Sequence, residues 1–181
     1  TAATTSGDEG AVSGSREPKD VVAVTGELIS TRRVGAFVAH TFVAAGIAEL
    51  ARPGQLVSLA VGDDASAIVT RRALPLRSVT PSGTYGGTLE VLVDSDGDAG
   101  MRWLAERRAH DEVDLIGPIG RPFPLPASAV DAIVVGVGAS AASLVWLITE
   151  LRRAGSQVPR VVIGGRDDRH LLGVIEAAVS G

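Results

Sequence analysis

The chain has 181 residues and no cysteine, which excludes disulfide bonds, thiolate-bound iron–sulfur clusters and cysteine zinc sites within these residues. Hydrophobic residues make up 45% of it and the net charge is −4, so it can bury a sizeable core but has no basic excess to attract nucleic acid or an anionic membrane. No apolar run approaches the ~20 residues that span a bilayer, and no secretory signal opens the sequence, so we expect a cytoplasmic protein.

The first part of the chain divides into a tail and a series of short strands. Residues 1–19 are rich in Gly, Ser and Thr, and such a segment cannot offset the entropy lost on ordering, so we predict a disordered tail. Over residues 20–126, short apolar runs alternate with Gly- and Pro-containing turns, which predicts an antiparallel β barrel or sandwich. The runs are VVAVTGELI, AFVAHTFVA, QLVSLAV, AIVT, LPLRSV, TLEVLV and EVDLI. We predict one helix here, beginning after Gly100 and placing Trp103 inward.

Residues 127–181 follow a different pattern. DAIVVGV is a continuous apolar run typical of a buried parallel strand, and VPRVVIGG is a second one. Between them, apolar residues recur at helical spacing up to a stop at Gly155, namely Leu144, Leu147, Ile148 and Leu151. DDRHLLGVIEAAV predicts a second helix. This half therefore predicts a partial α/β domain, whose two strands would need further chain, a partner subunit or a second copy to cover them.

Four segments together indicate a family: RRAL, YGGTLEVLV, HDEVDLIGPIGRPFPLP and AIVVGVG. A barrel followed by a linker and an α/β half resembles the ferredoxin reductase superfamily. Within it, these segments are most similar to the electron-transfer subunit family of dihydroorotate dehydrogenase, and the phrase from His110 to Pro126 is the most specific. The resemblance implies a flavoprotein of pyrimidine biosynthesis that passes electrons between a catalytic flavin dehydrogenase subunit and NAD.

The resemblance also places a flavin-binding strand at Arg72-Ala73-Leu74-Pro75. In the family an arginine at the first of these positions binds the FAD pyrophosphate, and a planar guanidinium suits that role because it can donate two parallel hydrogen bonds. Alternatively, Arg71 and Arg72 cap the strand and pair with Asp63 or Asp64. The resemblance favours the binding role for Arg72 and leaves Arg71 in solvent.

Three positions depart from the family's flavin pattern. Pro75 stands where the family has a hydroxyl for the flavin ring edge, and proline offers neither a hydroxyl nor a backbone N–H. Gly100-Met101 replaces a phosphate-binding Gly-Thr pair. Leu92-Val93-Asp94 replaces a flavin-contacting tripeptide, and Asp94 brings a negative charge toward an anionic ligand. We therefore expect FAD binding to be weakened or lost, and a cofactor-poor structural or regulatory subunit of the same fold is the alternative function.

The turn after the first α/β strand departs from the family as well. The family has four glycines and a proline there for NAD, whereas this chain keeps Gly136 and Gly138 alone, so NAD binding is doubtful. The family's iron–sulfur cysteines belong to a segment missing from these residues. A hydrolase elbow is a rival interpretation, with Ser140 as nucleophile and His170 and Asp167 or Asp168 as partners. We favour Ser140 as a helix N-cap and predict no metal site.

Overall fold

The structure, a computed structural model, describes residues 21–62, 70–84, 86–165 and 167. The predicted tail, most of the AIVT run and the predicted last helix lie outside these residues. The strands are β1 (Val22–Val34), β2 (Phe37–Val43), β3 (Leu56–Ala60), β4 (Arg71–Thr80), β5 (Thr88–Asp94), β6 (Glu112–Ile119), β7 (Asp131–Val137) and β8 (Gln157–Gly164). The helices are α1 (Ala45–Leu50), α2 (Ala99–Ala105) and α3 (Ala142–Arg153), with a short 3₁₀ turn, Gly138–Ala141, before α3.

The first six strands close into a barrel in the order β1-β2-β5-β4-β3-β6, and all neighbours are antiparallel. Alternation along each strand sends every second side chain inward, which builds one apolar core. Its fully buried members include Leu28, Phe42, Leu59, Leu76, Val91 and Leu115. The predicted antiparallel barrel is therefore confirmed.

The barrel half contains a second helix, so the prediction of a single helix there is wrong. α1 directly follows β2 and buries Ile47 and Ala48, and Ile47 belongs to the barrel core. Gly87 lets the chain lie close to this helix, since a Cβ added there would lie 2.8 Å from the Ala48 Cβ. Six residues are too few for a helical period to stand out in the sequence, and packing against the barrel decides the conformation.

The second half forms the predicted strand–helix–strand unit. β7 and β8 are parallel, and α3 connects them and ends before Gly155, which has a φ of +82° and provides the predicted stop. α3 covers one face of this two-stranded sheet. On the other face, Ile133, Val135 and Val137 are each about two-thirds exposed. The partial α/β domain and its incomplete cover are therefore as expected.

A second apolar cluster joins the two halves. It combines barrel residues with residues of β7 and α3, and its buried members include Phe37, Leu92, Val134, Leu144 and Leu151. The boundary between residues 126 and 127 stays a prediction, because packing continues across it. Within the described part of the chain, no helix is both long enough and apolar enough to cross a membrane.

Candidate functional site

The predicted flavin residues lie where two barrel strands separate. β4 and β5 pair only from Leu76 opposite Val91 to Thr80 opposite Thr88. Beyond that point β4 runs on through Arg72 to Pro75 beside β3, and β5 runs on through Leu92 to Asp94 beside β2. α2 follows β5 and contacts both strands. The fold thus brings the three predicted segments to one end of the barrel.

Arg72 is the residue that connects these segments. Its guanidinium lies against Gly100, since a Cβ added to Gly100 would be 3.1 Å from the Arg72 Nη2 and 3.0 Å from the Val61 Cγ2. Only glycine allows this approach without displacing a neighbour. The Arg72 side chain is 27% exposed, so solvent and an anion can reach it. The fold therefore brings Arg72 next to Gly100, and the flavin roles of both residues stay predictions.

Asp98 is an important residue of this site that the sequence analysis missed. Its carboxylate accepts hydrogen bonds from the Arg72 Nε at 3.2 and 3.1 Å, and the Arg72 Nη2 lies 2.9 Å from Oδ2. Asp98 also caps α2, because Oδ1 accepts from the Met101 backbone N–H at 3.0 Å. The Met101 N–H and then the Arg72 guanidinium hold the pKa of the Asp98 carboxyl below its ordinary value. An Asp just before a helix is a common N-cap signal, which could have identified it.

The ion pair of Arg72 with Asp98 is a contact that neither interpretation of the arginines included. Asp63 and Asp64, the suggested partners, lie outside the described residues. Arg71 is exposed, as expected, yet it also donates to the Ser58 carbonyl at 2.9 Å and the Asp114 carbonyl at 2.6 Å. The two arginines therefore point to different neighbours, and only Arg72 reaches α2.

The middle of the predicted flavin strand offers few polar groups. Ala73 is exposed, Leu74 belongs to the barrel core and Pro75 is half-buried opposite Leu56. Proline is tolerated at this point because β4 pairs there with β3 alone, and its pairing with β5 begins only at Leu76. The N–H that proline lacks therefore removes no hydrogen bond to β5. A flavin ring beside Pro75 would find an apolar surface and no donor.

The tripeptide on β5 is mostly enclosed. Leu92 is 1% exposed within the cluster that joins the two halves, and Val93 is fully buried in the barrel core. Asp94 is half-buried, and its Oδ1 accepts from the Asp96 N–H at 2.9 Å. Leu92 and Val93 are therefore buried core residues. The roles of all three residues in binding a flavin stay predictions.

The two predicted NAD-site glycines differ in their surroundings. A Cβ on Gly136 would collide with Leu144 and lie 2.8 Å from the Ala141 Cβ, so this glycine permits close packing of β7 on α3. Gly138 has a φ of +58° and open space around it. Ser140 donates to the Val137 carbonyl at 2.6 Å, and Ala141 occupies the N-cap of α3. The predicted N-cap role of Ser140 is therefore wrong, because the 3₁₀ turn delays the start of α3.

His40 anchors α2 to the barrel. It is fully buried on β2, and its Nε2 donates to the Leu104 carbonyl of α2 at 2.8 Å. Its Nδ1 has no hydrogen-bond partner within the described ranges, and the ring packs edge-on against Phe42. Burial lowers the pKa of His40, and Arg107 acts in the same direction, while the Leu104 carbonyl opposes them. The helix that carries Asp98 and Gly100 is thus held by a histidine that favours its neutral form.

Stability should fall in mild acid because of His40. In the unfolded chain a histidine takes up a proton near its ordinary pKa of about 6.5, while the folded chain resists protonation, so the free energy of unfolding decreases as pH falls below about 6.5. His40→Gln keeps an amide donor for the Leu104 carbonyl and does not titrate. We expect wild type to be more stable than the variant at pH ~7.5, and this advantage, measured by urea denaturation, to become smaller as pH is lowered to ~5.5. A difference that stays constant over this range would contradict this account.

Comparisons with known proteins show which fold class this chain has. No protein-family model matches the chain. Among solved structures, an NADH-dependent reduced ferredoxin-NADP oxidoreductase superposes with a TM-score of 0.67 at 21% identity, over 82% of this chain and 51% of that one. Phthalate dioxygenase reductase gives a TM-score of 0.63 at 19% identity, over 85% and 47%. The barrel and α/β half therefore have the fold of the ferredoxin reductase class.

Curated relatives narrow the class to a family. The chain is 34% identical over 132 residues to the dihydroorotate dehydrogenase B (NAD(+)) electron transfer subunit of Desulforamulus reducens, which is 72% of this chain and 48% of the relative. The same subunit of Geobacillus kaustophilus is 31% identical over 118 residues, 64% of this chain and 44% of the relative. The chain belongs to this electron-transfer subunit family, which confirms the resemblance. It spans about half the length of the curated relatives that it matches.

Proposed function

We propose that this chain forms the flavin-domain part of an electron transfer subunit of the dihydroorotate dehydrogenase B type, in pyrimidine biosynthesis. The observation that carries the proposal is the partly exposed Arg72 guanidinium beside Gly100, at the barrel end where β4 and β5 separate. The names of the relatives favour this function over the cofactor-poor alternative.

The residues of the site fit a flavin nucleotide unevenly. The Arg72 guanidinium suits a phosphate, and the absence of a side chain on Gly100 lets the guanidinium lie against the first turn of α2. Pro75 and Met101 supply no hydroxyl, so the ring edge and the phosphates each lack a donor that the family pattern contains. When bound, a flavin would supply the electron exchange, and this chain would bind and orient it. We propose FAD as the ligand, held more weakly than in the relatives.

The remaining partners follow from the same assignment. A catalytic flavin dehydrogenase subunit would receive or deliver the electrons at one side, and NAD would do so at the other. The turn at Gly136 and Gly138 offers NAD little by itself, so the NAD site would need chain or partner residues beyond those described. We propose that the exposed sheet face of Ile133, Val135 and Val137 is covered in that assembly, in the cytoplasm, by the same additional residues.

The test of the proposed function is flavin binding by Arg72. We expect purified wild-type chain to quench FAD fluorescence on titration. Arg72→Ala should raise the dissociation constant about tenfold or more, because a hydrogen-bonded charge pair with the phosphates is lost. Arg71→Ala removes the same charge from the neighbouring position and is the matched control, with an expected change below about threefold. A wild type that binds no FAD at ~100 µM would support the cofactor-poor subunit instead.

A further inference from the structure

We propose that Asp98 determines the affinity of this chain for flavin nucleotides by competing with their phosphates for Arg72. The inference rests on the proposed function, because it concerns the same arginine. In the family pattern the phosphate contacts correspond to Arg72, Gly100 and Met101. Asp98 is not one of these positions.

All three nitrogens of the Arg72 guanidinium have an acceptor. Nε and Nη2, the side-on pair of donors, both face the Asp98 carboxylate at 2.9 to 3.2 Å. Nη1 donates to the Thr70 hydroxyl at 2.6 Å and to the Arg71 carbonyl at 3.2 Å. A phosphate that binds Arg72 with two parallel hydrogen bonds therefore needs the donors that Asp98 now occupies.

The Met101 N–H is taken by the same carboxylate. Asp98 accepts that bond at 3.0 Å, in the segment where the family pattern has a phosphate-binding Gly-Thr pair. One side chain of this protein thus engages both groups that the family pattern would direct to a phosphate. It also places a negative charge next to Arg72, which reduces the attraction that the arginine alone would exert on an anion.

The pair is nevertheless displaceable. The Asp98 side chain is 56% exposed and the Arg72 side chain 27% exposed, and ion pairs at such positions are weak because water screens them. A diphosphate carries more charge than one carboxylate and can take its place. Asp98 therefore lowers the affinity for a phosphate-bearing ligand without abolishing it, and leaves a ligand without phosphates unaffected.

The test compares two flavins on three forms of the chain. Asp98→Asn removes the charge but keeps a good N-cap for α2, so the helix is retained. We expect Asp98→Asn to bind FAD about tenfold more tightly than wild type, with riboflavin, which has no phosphate, unchanged within about twofold. Glu106→Gln, at the other end of α2, makes the same change in net charge and should leave both dissociation constants within about twofold of wild type.

The outcomes separate this inference from the proposed function. FAD binding to wild type that is unchanged or weakened in Asp98→Asn would overturn the role of Asp98 and leave the flavin function standing. Equal tightening of FAD and riboflavin would also overturn it, because the effect would not depend on phosphate. FAD binding gained only in Asp98→Asn would support the inference and contradict the flavin function of the natural chain. If neither wild type nor Asp98→Asn bound FAD, both the inference and the proposed function would fail.

Discussion

Replacing Glu90 with Gln is expected to destabilise the chain by about 3 kcal/mol, because it breaks an ion pair with a buried arginine. The Arg77 side chain is 3% exposed, and its Nη1 lies 2.8 Å from the Glu90 Oε2, which also accepts from the Ser78 hydroxyl. Arg77 stands at an irregularity in the β4–β5 ladder, between Leu76 and Ser78. The amide of Gln keeps the shape and an acceptor oxygen but removes the negative charge that faces the Arg77 guanidinium.

Arg32, the second arginine that contacts the Glu90 carboxylate, provides the control. Arg32 lies 3.5 Å from the Glu90 Oε1, but its side chain is 45% exposed, so Arg32→Ala should cost at most about 1 kcal/mol. Urea denaturation at neutral pH measures both variants. The double variant Arg77→Met with Glu90→Gln should recover much of the loss, because the buried guanidinium charge is then removed together with the carboxylate that it faces. A Glu90→Gln stability within about 0.5 kcal/mol of wild type would contradict this account, because the buried Arg77 would then not depend on the Glu90 charge.

Leu92→Ala is expected to cost about 3 kcal/mol, because it opens a cavity where the barrel meets the α/β half. Leu92 is 1% exposed and packs in the same cluster as Val134 and Leu144. The loss should be the same in the absence and in the presence of FAD, since the side chain is enclosed by protein. Urea denaturation of wild type and variant, each with and without FAD, measures the loss under both conditions.

Two further variants make the Leu92 result interpretable. Leu125→Ala removes the same atoms from a side chain that is 47% exposed and should change stability by less than about 1 kcal/mol. Leu92→Met preserves most of the volume and should cost less than about 1.5 kcal/mol. If Leu92→Ala cost little stability but weakened FAD binding, the residue would be a flavin contact, as the family pattern suggests, and the packing account would be wrong.

Local signals were sufficient for much of the fold. Short apolar runs separated by Gly- and Pro-containing turns indicated the strands of the barrel, and the continuous run at 131–137 indicated a parallel strand. The stop at Gly155 was readable because a left-handed φ after a helix favours glycine whatever surrounds it. α1 was not readable, since Ile47 becomes helical only by packing on the barrel core.

In the candidate site, too, some features were readable from the sequence and others depended on tertiary packing. The sequence by itself determined that Arg72 is the arginine to examine, through its motif, and that Pro75 and Met101 lack the family's hydroxyls. Only the tertiary structure decided that Asp98, 26 residues away along the chain, holds that arginine, and that Leu92 belongs to the core. The reason is physical: a motif specifies what a side chain can bind, whereas which partner reaches it depends on where β4 and β5 separate and where α2 begins, and those positions are set by packing across the whole barrel.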